Sequence, residues 1–251
     1  MSQQPLAGKV ALVTGGSRGI GAATALRLAD DGADVAITYV SSHERAKSVV
    51  SRIEQRGVRG KAFASDQADP EQAASLVDQV MAEFGRLDIL VNNAGIFVTG
   101  SIDAEETDQE AMARQYAVNV AGVVAVTRAA AKVMGEGGRI VSVGSTSGDR
   151  TPFPGLGDYS ATKAAITAYT RAWARDLGPR GITVNAAQTS SISTDMNPDV
   201  GPFADVQRSM NALGRYYGRP EEMAAAIAFL ADPDASFVTG ATLNVDGGFN
   251  A

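Results

Sequence analysis

A tyrosine and a lysine four positions apart are the residues of this chain best suited to proton chemistry. Tyr159 and Lys163 have this spacing, and residues so spaced share one face of a helix. Tyrosine titrates near pH ~10, so it needs a cationic neighbour to exchange protons near neutrality. Two unit charges ~4 Å apart interact by ~4 kcal/mol at an effective dielectric of ~20, which would lower the phenol pKa by ~3 units. The pair therefore predicts a tyrosine that protonates an alkoxide, or accepts the proton in reverse.

A serine-rich run supplies a hydroxyl that could hold a carbonyl oxygen. Residues 144–148 read GSTSG and follow a predicted strand. Ser145 is the candidate, and Ser142 and Ser147 are alternatives from the sequence alone. Turn formation is the competing interpretation, because serine and glycine are common in turns.

A glycine-rich segment after the first predicted strand is suited to binding phosphate. Residues 14–21 read TGGSRGIG, with Gly15, Gly19 and Gly21 at a junction of strand and helix. Glycine lets the backbone approach a phosphate, and a helix start supplies free N–H groups and the positive end of a dipole. The spacing differs from the G-x-G-x-x-G fingerprint. A tight turn that requires small residues is the alternative interpretation.

The end of the second predicted strand favours NADP(H) over NAD(H). Residues 38–43 contain no acid, although NAD enzymes usually place one here for the ribose 2′-hydroxyl. Arg18 with the hydroxyls of Ser41 and Ser42 suits a 2′-phosphate, which an aspartate would repel. His43 could also touch that phosphate, but a surface position at a helix start is the simpler interpretation.

The composition excludes several functional classes. A net charge of −6 argues against a general affinity for nucleic acid or anionic membranes. The absence of cysteine excludes disulfides and thiolate sites, and with a single histidine we expect no metal site. Residues 1–10 lack the order of a secretory signal, and polar residues or glycine interrupt each apolar run before membrane-spanning length. We therefore expect a soluble cytoplasmic protein.

The candidate residues require a parallel α/β sheet to position them. Short runs that are apolar on both faces alternate with helical patterns, which predicts a doubly wound parallel sheet with helices on both faces. The predicted strands are 10–13, 35–40, 61–64, 87–91, 139–143, 182–186 and 243–245. The predicted helices are 20–29, 44–55, 71–84, 108–134, 159–177 and 220–230. Ligands of such sheets bind at the carboxyl ends of the strands, and the candidate residues follow those ends.

One segment is too long to be an ordinary connection. We find no linker or repeat, so residues 1–251 are interpreted as a single domain. Residues 188–218 contain no clear pattern, and loops of that length are usually functional lids or disordered. Apolar side chains in or near it could line a substrate site or simply pack a lid onto the core: Phe153, Leu156, Met196, Phe203 and Tyr216.

Taken together, these motifs resemble the classical short-chain dehydrogenase/reductases, in the 3-oxoacyl-reductase-like and carbonyl reductase branch. TGGSRGIG, NNAG (92–95), YSATK (159–163) and VDGG (245–248) occur in the family's order across nearly the whole chain. The resemblance implies a seven-stranded Rossmann-type fold and a catalytic set of Asn119, Ser145, Tyr159 and Lys163. In that set Lys163 also binds the nicotinamide ribose, and Asn119 anchors a water relay.

The resemblance also implies where the cofactor and other subunits bind. The expected contacts with NADP(H) are Gly15, Ser17, Arg18, Gly19, Ile20, Gly21, Ser41, Ser42, Asp66, Gln67, Asn93, Ala94, Gly95, Tyr159, Lys163 and Ile192. Family members usually form tetramers or dimers through the helices that hold Asn119 and Tyr159, with the C-terminus at a second interface. We expect a homotetramer.

The chain departs from the family pattern after the sixth strand. Thr189 and Ser190 replace the usual Pro-Gly pair, and because proline and glycine each restrict or permit particular backbone angles, the turn should change. This segment should border the nicotinamide and the substrate.

The leading functional hypothesis is a carbonyl reductase or alcohol dehydrogenase that acts on a ketone. The alternative within the family is a 3-oxoacyl-thioester (acyl-carrier-protein) reductase. A non-catalytic NADP-binding regulator is a third hypothesis, but such proteins typically lose the tyrosine or the lysine, and both are present here.

Overall fold

Seven parallel strands form one sheet in the computed structural model, which describes residues 4–214 and 217–251. Their order is β3-β2-β1-β4-β5-β6-β7. Successive strands are added on one side of β1 up to β3 and on its other side from β4 onward, so the strand order reverses between β1 and β4. The strands are β1 Val10–Val13, β2 Asp34–Tyr39, β3 Gly60–Ala64, β4 Ile89–Asn92, β5 Arg139–Ser145, β6 Thr183–Thr189 and β7 Thr242–Val245. The predicted seven-stranded, doubly wound parallel sheet is confirmed.

Helices cover both faces of this sheet. They are α1 Gly19–Asp30, α2 His43–Glu54, α3 Pro70–Phe84, α4 Gln109–Tyr116, α5 Val123–Val133, α6 Gly157–Leu177, α7 Pro202–Met210 and α8 Pro220–Ala231. Alternate residues of β1 point to opposite faces, as the pleat requires: Ala11 and Val13 belong to a core with α1, α2 and α8. Val10 and Leu12 belong to a second core with α3, α5 and α6. Burial on both sides explains the unbroken apolar runs of the strands.

The predicted helix over residues 108–134 contains a change of helix type. Residues Ala117–Gly122, between α4 and α5, form a π-helical segment, a feature often found at functional sites. A Cβ atom on Gly122 would overlap the backbone carbonyl of Gln67. Glycine is therefore required at position 122, because the π-helical segment lies against the backbone of Gln67, which follows β3.

One helix corrects the expectation about apolar runs. The continuous stretch Gln109–Val133 has 25 residues and, by length and composition only, could cross a membrane. In the fold, 39% of its most apolar window is buried, and α5 packs against α3. A helix that covers a protein core passes the same test of length and hydropathy, so the finding is weak evidence for a membrane span.

The segment over residues 188–218 is less irregular than the sequence predicts. Strand β6 continues to Thr189, and α7 occupies Pro202–Met210 after Gly201, whose φ is +93°. Proline in the first turn is a usual helix start. The helix was not predicted because its large apolar side chains do not form a buried stripe: Phe203 is 51% and Val206 47% exposed.

Candidate active site

The carboxyl ends of the central strands open into a cleft of about 460 Å³. Ser145 and all of the predicted cofactor contacts lie on its wall: Gly15, Ser17, Arg18, Gly19, Ile20, Gly21, Ser41, Ser42, Asp66, Gln67, Asn93, Ala94, Gly95, Tyr159, Lys163 and Ile192. The parallel strands thus bring together residues that are distant in sequence. Asn119 lies behind this wall and is 2% exposed.

The glycine loop forms a tight cradle at the start of α1. Gly15 and Gly19 have φ values of +65° and +53°, a region that favours glycine. A Cβ atom on Gly21 would overlap the carbonyl of Gly15 and the amide of Asn93. Arg18 precedes α1 without capping it through its side chain, so the helix start presents backbone N–H groups to the cleft. A cradle with this backbone geometry fits the pyrophosphate of a dinucleotide.

Hydroxyl groups and arginines surround the end of β2, where a 2′-phosphate is expected. Ser41, Ser42 and Arg18 line the cleft here. Arg45, in the first turn of α2, was not predicted to take part. Its Nη1 lies 2.6 Å from Oδ2 of Asp195, and Nη1 of Arg18 lies 3.3 Å from the same oxygen. The hydrogen bond from Arg45 and the nearby charge of Arg18 hold the pKa of the Asp195 carboxyl below its usual value.

Asp66 and Gln67 lie at the other side of the expected adenine position. Asp66 accepts a hydrogen bond of 2.9 Å from Arg114 Nη2 and one of 2.9 Å from the backbone N–H of Ala68. The Gln67 amide donates to the carbonyl of Val118 at 3.1 Å. Gln67 therefore fastens the π-helical segment to the wall of the cleft.

Asn93, Ala94 and Gly95 follow β4 and are held by the first strand. The backbone N–H groups of Asn93 and Ala94 donate to Thr14 Oγ1 at 3.1 and 3.0 Å. The Asn93 amide donates to the Thr14 carbonyl at 2.8 Å. A Cβ atom on Gly95 would lie only 3.3 Å from Asn119 Oδ1, so glycine leaves room for the Asn119 amide.

The structure distinguishes the three candidate serines. Ser142 is 1% exposed and its hydroxyl accepts a hydrogen bond from Asn92 at 3.3 Å, inside the core. Ser145, the last residue of β5, lies close enough to Tyr159 for its side chain to lower the pKa of the phenol. It also accepts a bond of 3.2 Å from the backbone N–H of Ser147. Ser145 is therefore the serine whose hydroxyl lies beside the phenol.

Tyr159 and Lys163 share one face of α6, as their spacing predicts. Lys163 Nζ lies 5.7 Å from the centre of the Tyr159 ring and donates to the carbonyl of Val143 at 3.1 Å. Since that carbonyl belongs to β5, the bond ties the active-site face of α6 to the strand that ends at Ser145.

The direction of the tyrosine pKa shift corrects the sequence-based expectation. Burial raises the pKa of the Tyr159 phenol, and the hydrogen bond with Ser145 only partly offsets this effect. Burial also lowers the pKa of Lys163 to about 8. Loss of hydration disfavours the charged form of each group. The sequence-based expectation that Lys163 lowers the pKa of the phenol did not include this effect. The phenol is therefore neutral at physiological pH in the free protein.

Asn119 supports the site from behind. Its Oδ1 accepts a hydrogen bond of 2.9 Å from the backbone N–H of Ile96, and its Nδ2 donates to the Ile96 carbonyl at 2.9 Å. Nδ2 also lies 3.3 Å from Thr162 Oγ1 on α6. Asn119 thus joins the chain after β4 to the helix that carries Tyr159 and Lys163. Its water relay remains a prediction.

Aromatic side chains form the apolar end of the cleft. The Phe97 ring meets Tyr159 edge-on, with ring centres 4.8 Å apart, and Phe153 lies 5.2 Å from Phe203. Leu156 and Met196 also line the cleft, whereas Tyr216 lies outside the described residues. Phe97 was not predicted, although its place after NNAG at the end of β4 was a usable signal.

The two hydroxyl residues that replace Pro-Gly anchor the segment after β6. The Thr189 hydroxyl donates to the carbonyl of Val245 at 3.1 Å, and the Ser190 hydroxyl donates to that of Asp246 at 2.9 Å. The departure from the family pattern therefore fixes the cleft wall to the end of β7.

Comparison with known proteins decides the family. A family model described as enoyl-(acyl carrier protein) reductase matches residues 15–250. The chain belongs to the short-chain dehydrogenase/reductase family. Among solved structures, a short-chain dehydrogenase from Burkholderia cenocepacia J2315 in complex with NADP is 52% identical, with a TM-score of 0.95 over 98% of this chain and 100% of that one. The resemblance drawn from the motifs is confirmed.

Curated relatives of this short-chain dehydrogenase/reductase carry diverse names. The cyclic-di-GMP-binding biofilm dispersal mediator protein of Escherichia coli is 44% identical over 97% of this chain and 98% of its own length. The 3-oxoacyl-[acyl-carrier-protein] reductase of a Synechocystis species is 40% identical over 97% of each chain. Membership of the family therefore establishes an oxidoreductase fold and leaves the substrate to the lining of the cleft.

Proposed function

We propose that the protein is an NADP(H)-dependent carbonyl reductase that reduces ketones bearing an apolar or aromatic group. The observation that carries this proposal is that Tyr159, which interacts with the Ser145 side chain, packs nearly perpendicular to the Phe97 ring in the cleft. A polar oxygen placed at the hydroxyl pair would leave the rest of the ketone among Phe97, Phe153 and Phe203. Such rings favour flat apolar groups, which pack edge-on or offset against them.

The cofactor is NADP(H), as the sequence predicts, and the Burkholderia cenocepacia relative is a complex with NADP. When bound, it supplies a hydride to the carbonyl carbon. We assign the pyrophosphate to the cradle of Gly15, Ser17, Gly19, Ile20 and Gly21, and the 2′-phosphate to Arg18, Ser41 and Ser42. The adenine, ribose and carboxamide contacts are assigned to Asp66, Gln67, Asn93, Ala94, Gly95, Tyr159, Lys163 and Ile192.

The residues of the chain handle the proton. Ser145 donates a hydrogen bond to the carbonyl oxygen and makes the carbon more electrophilic. Tyr159, kept neutral by burial, gives its proton to the same oxygen as the alcohol forms. The positive charge of Lys163 stabilises the tyrosinate that is left behind. Asn119 holds this arrangement in position.

Two other functions use the same site. A 3-oxoacyl-thioester reductase would apply the same serine and tyrosine chemistry to a ketone next to a thioester, and the Synechocystis relative supports it. A nucleotide-binding regulator is suggested by the name of the Escherichia coli relative. The apolar aromatic end of the cleft favours a simple ketone over a 3-oxoacyl thioester. The presence of Ser145, Tyr159 and Lys163 together favours a catalyst over a nucleotide-binding regulator.

A substrate and cofactor panel tests the proposal. Initial rates would be measured with NADPH and NADH on an aryl ketone, a small aliphatic ketone and an acetoacetyl thioester. Because a buried aromatic ring contributes ~2 kcal/mol, we expect kcat/KM for the aryl ketone to exceed that of the aliphatic one by tenfold or more. NADPH should be preferred by at least about tenfold, since charged hydrogen bonds to the phosphate are strong. Preference for the thioester would contradict the proposal, as would preference for NADH.

We also propose that the protein is a cytoplasmic homotetramer. Family members usually associate through the helices that hold Asn119 and Tyr159, and through the C-terminus. Light scattering of the purified protein measures the number of chains directly, and a monomer or a dimer would contradict this proposal.

A further inference from the structure

Asp195 lies between the two arginines at the 2′-phosphate end of the cleft. One oxygen of its carboxylate lies 3.3 Å from Arg18 and 2.6 Å from Arg45. The two arginines come from the glycine loop and from α2, whereas Asp195 comes from the segment after β6, 177 and 150 positions away. The pairing therefore connects the wall of the substrate cleft to the adenosine end of the dinucleotide site.

Arg45 occupies an unfavourable position for a cation. It lies in the first turn of α2, two residues after His43, where the helix starts. The N-terminal end of a helix carries partial positive charge and disfavours cations. The first turn of α2 also contains Glu44, and Asp195 is the anion that pairs directly with Arg45. The position is equally suited to a phosphate.

The segment that carries Asp195 also covers the phosphate cradle. A Cβ atom on Gly19 would lie 3.3 Å from the methyl carbon of Thr194, so Thr194 rests on the glycine loop. Thr194 and Asn197 bond each other's backbone, with N–H to carbonyl distances of 3.3 and 3.1 Å. Met196, between them, lines the apolar end of the cleft.

We propose that Asp195 is an internal occupant of the 2′-phosphate site, held by Arg18 and Arg45, and that binding of NADP(H) displaces it and repositions the cleft wall that carries Met196. This inference rests on the proposed function, which assigns the 2′-phosphate to this end of the cleft. It adds Arg45 as a second ligand of that phosphate and Asp195 as its competitor.

Charge decides the direction of the exchange. A phosphate monoester carries about −1.5 to −2 at neutral pH, more than one carboxylate. The 2′-phosphate and Asp195 repel each other, so both cannot remain on the same guanidinium groups without cost. Since Arg18, Arg45 and Asp195 are 59%, 58% and 55% exposed, the internal pairs are weak and the phosphate can displace the carboxylate.

The binding test uses adenosine 2′,5′-bisphosphate, with AMP as the matched ligand that lacks the 2′-phosphate. Asp195→Asn removes the competitor, and because exposed ion pairs contribute at most about 1 kcal/mol each, the bisphosphate should bind about threefold to tenfold more tightly. The affinity for AMP should stay within about twofold. Asp199→Asn removes the same charge from the same segment and should change neither affinity by more than about twofold. Arg45→Ala should weaken the bisphosphate about tenfold and leave AMP unchanged.

The displacement itself is measured by hydrogen exchange of residues 193–197. The bisphosphate should speed exchange of these amides in the wild-type protein and AMP should not, whereas Asp195→Asn should exchange fast before any ligand is added. Unchanged exchange with saturating bisphosphate, or an Asp195→Asn protein that binds it no more tightly, would overturn the inference. If the wild-type protein does not prefer the bisphosphate over AMP, the NADP(H) site of the proposed function fails instead.

Discussion

At the scale of single residues, burial governs the acid–base chemistry of the cleft. Tyr159 and Lys163 are both pushed towards their neutral forms, since loss of hydration raises the pKa of the first and lowers that of the second. A neutral phenol is the form that can donate a proton to a carbonyl oxygen. In the mechanism that we propose, a charged lysine beside it stabilises the phenolate as it forms.

Lys163 should set the alkaline limit of ketone reduction. Its pKa of about 8 keeps it charged below that pH and neutral above it. The ratio kcat/KM reports groups of the free enzyme, so it should be level below pH 7 or so and fall about tenfold per pH unit well above 8. A pH–rate profile with the aryl ketone measures this. A level profile up to pH ~10 would contradict the role of the lysine charge.

The spacing of Tyr159 and Lys163 was enough to predict their shared helix face, because that follows from helix geometry alone. The direction of the phenol pKa shift was not predictable, because it depends on burial that other elements create. Arg45 was missed for a similar reason. Nothing near it in the sequence indicates that Asp195 will meet it.

At the scale of elements, the segment after β6 is held by side-chain hydroxyls in place of a Pro-Gly turn. Thr189 and Ser190 donate to two consecutive carbonyls at the end of β7, those of Val245 and Asp246. This pair of bonds gives a long segment a fixed point next to the cleft.

Removing the two hydroxyls should destabilise the protein. Thr189→Val with Ser190→Ala removes two part-buried hydrogen bonds, which together contribute about 1–3 kcal/mol at roughly 0.5–1.5 kcal/mol each. We expect the free energy of unfolding in urea to fall by about that amount. Thr183→Val is the matched control on the same strand, because its buried hydroxyl has no hydrogen-bond partner among the described residues; it should be neutral or stabilising. A double variant as stable as the wild type would contradict the anchoring role.

The strands and most helices were predictable because their apolar residues face a core. Helix α7 was not, since Phe203 and Val206 remain exposed and give no core-facing pattern. The π-helical segment was not predictable either. It packs Gly122 against the backbone of Gln67, a contact that joins parts of the chain far apart in sequence.

At the scale of the whole molecule, the order of the strands creates the site. The strand order reverses between β1 and β4, and parallel α/β sheets bind their ligands at such a point. The ends of β1, β4, β5 and β6 thereby gather the glycine loop, Asn93, Ser145 and Thr189 around one cleft. The position of the cleft followed from this rule and the alternating elements. The way in which segment 188–218 packs over the cleft did not follow from this rule, because this packing depends on contacts such as that of Asp195 with Arg18.

The proposed role of Tyr159 is tested by the turnover of Tyr159→Phe with a ketone and NADPH, measured together with the affinity of this variant for NADPH. General acid catalysis contributes about 10²–10⁴-fold to a rate, so kcat should fall by about a thousandfold. Since the ring and Lys163 are retained, the dissociation constant for NADPH should change by less than about threefold, or under 1 kcal/mol. A variant that keeps kcat within about tenfold of the wild type would contradict Tyr159 as the proton donor.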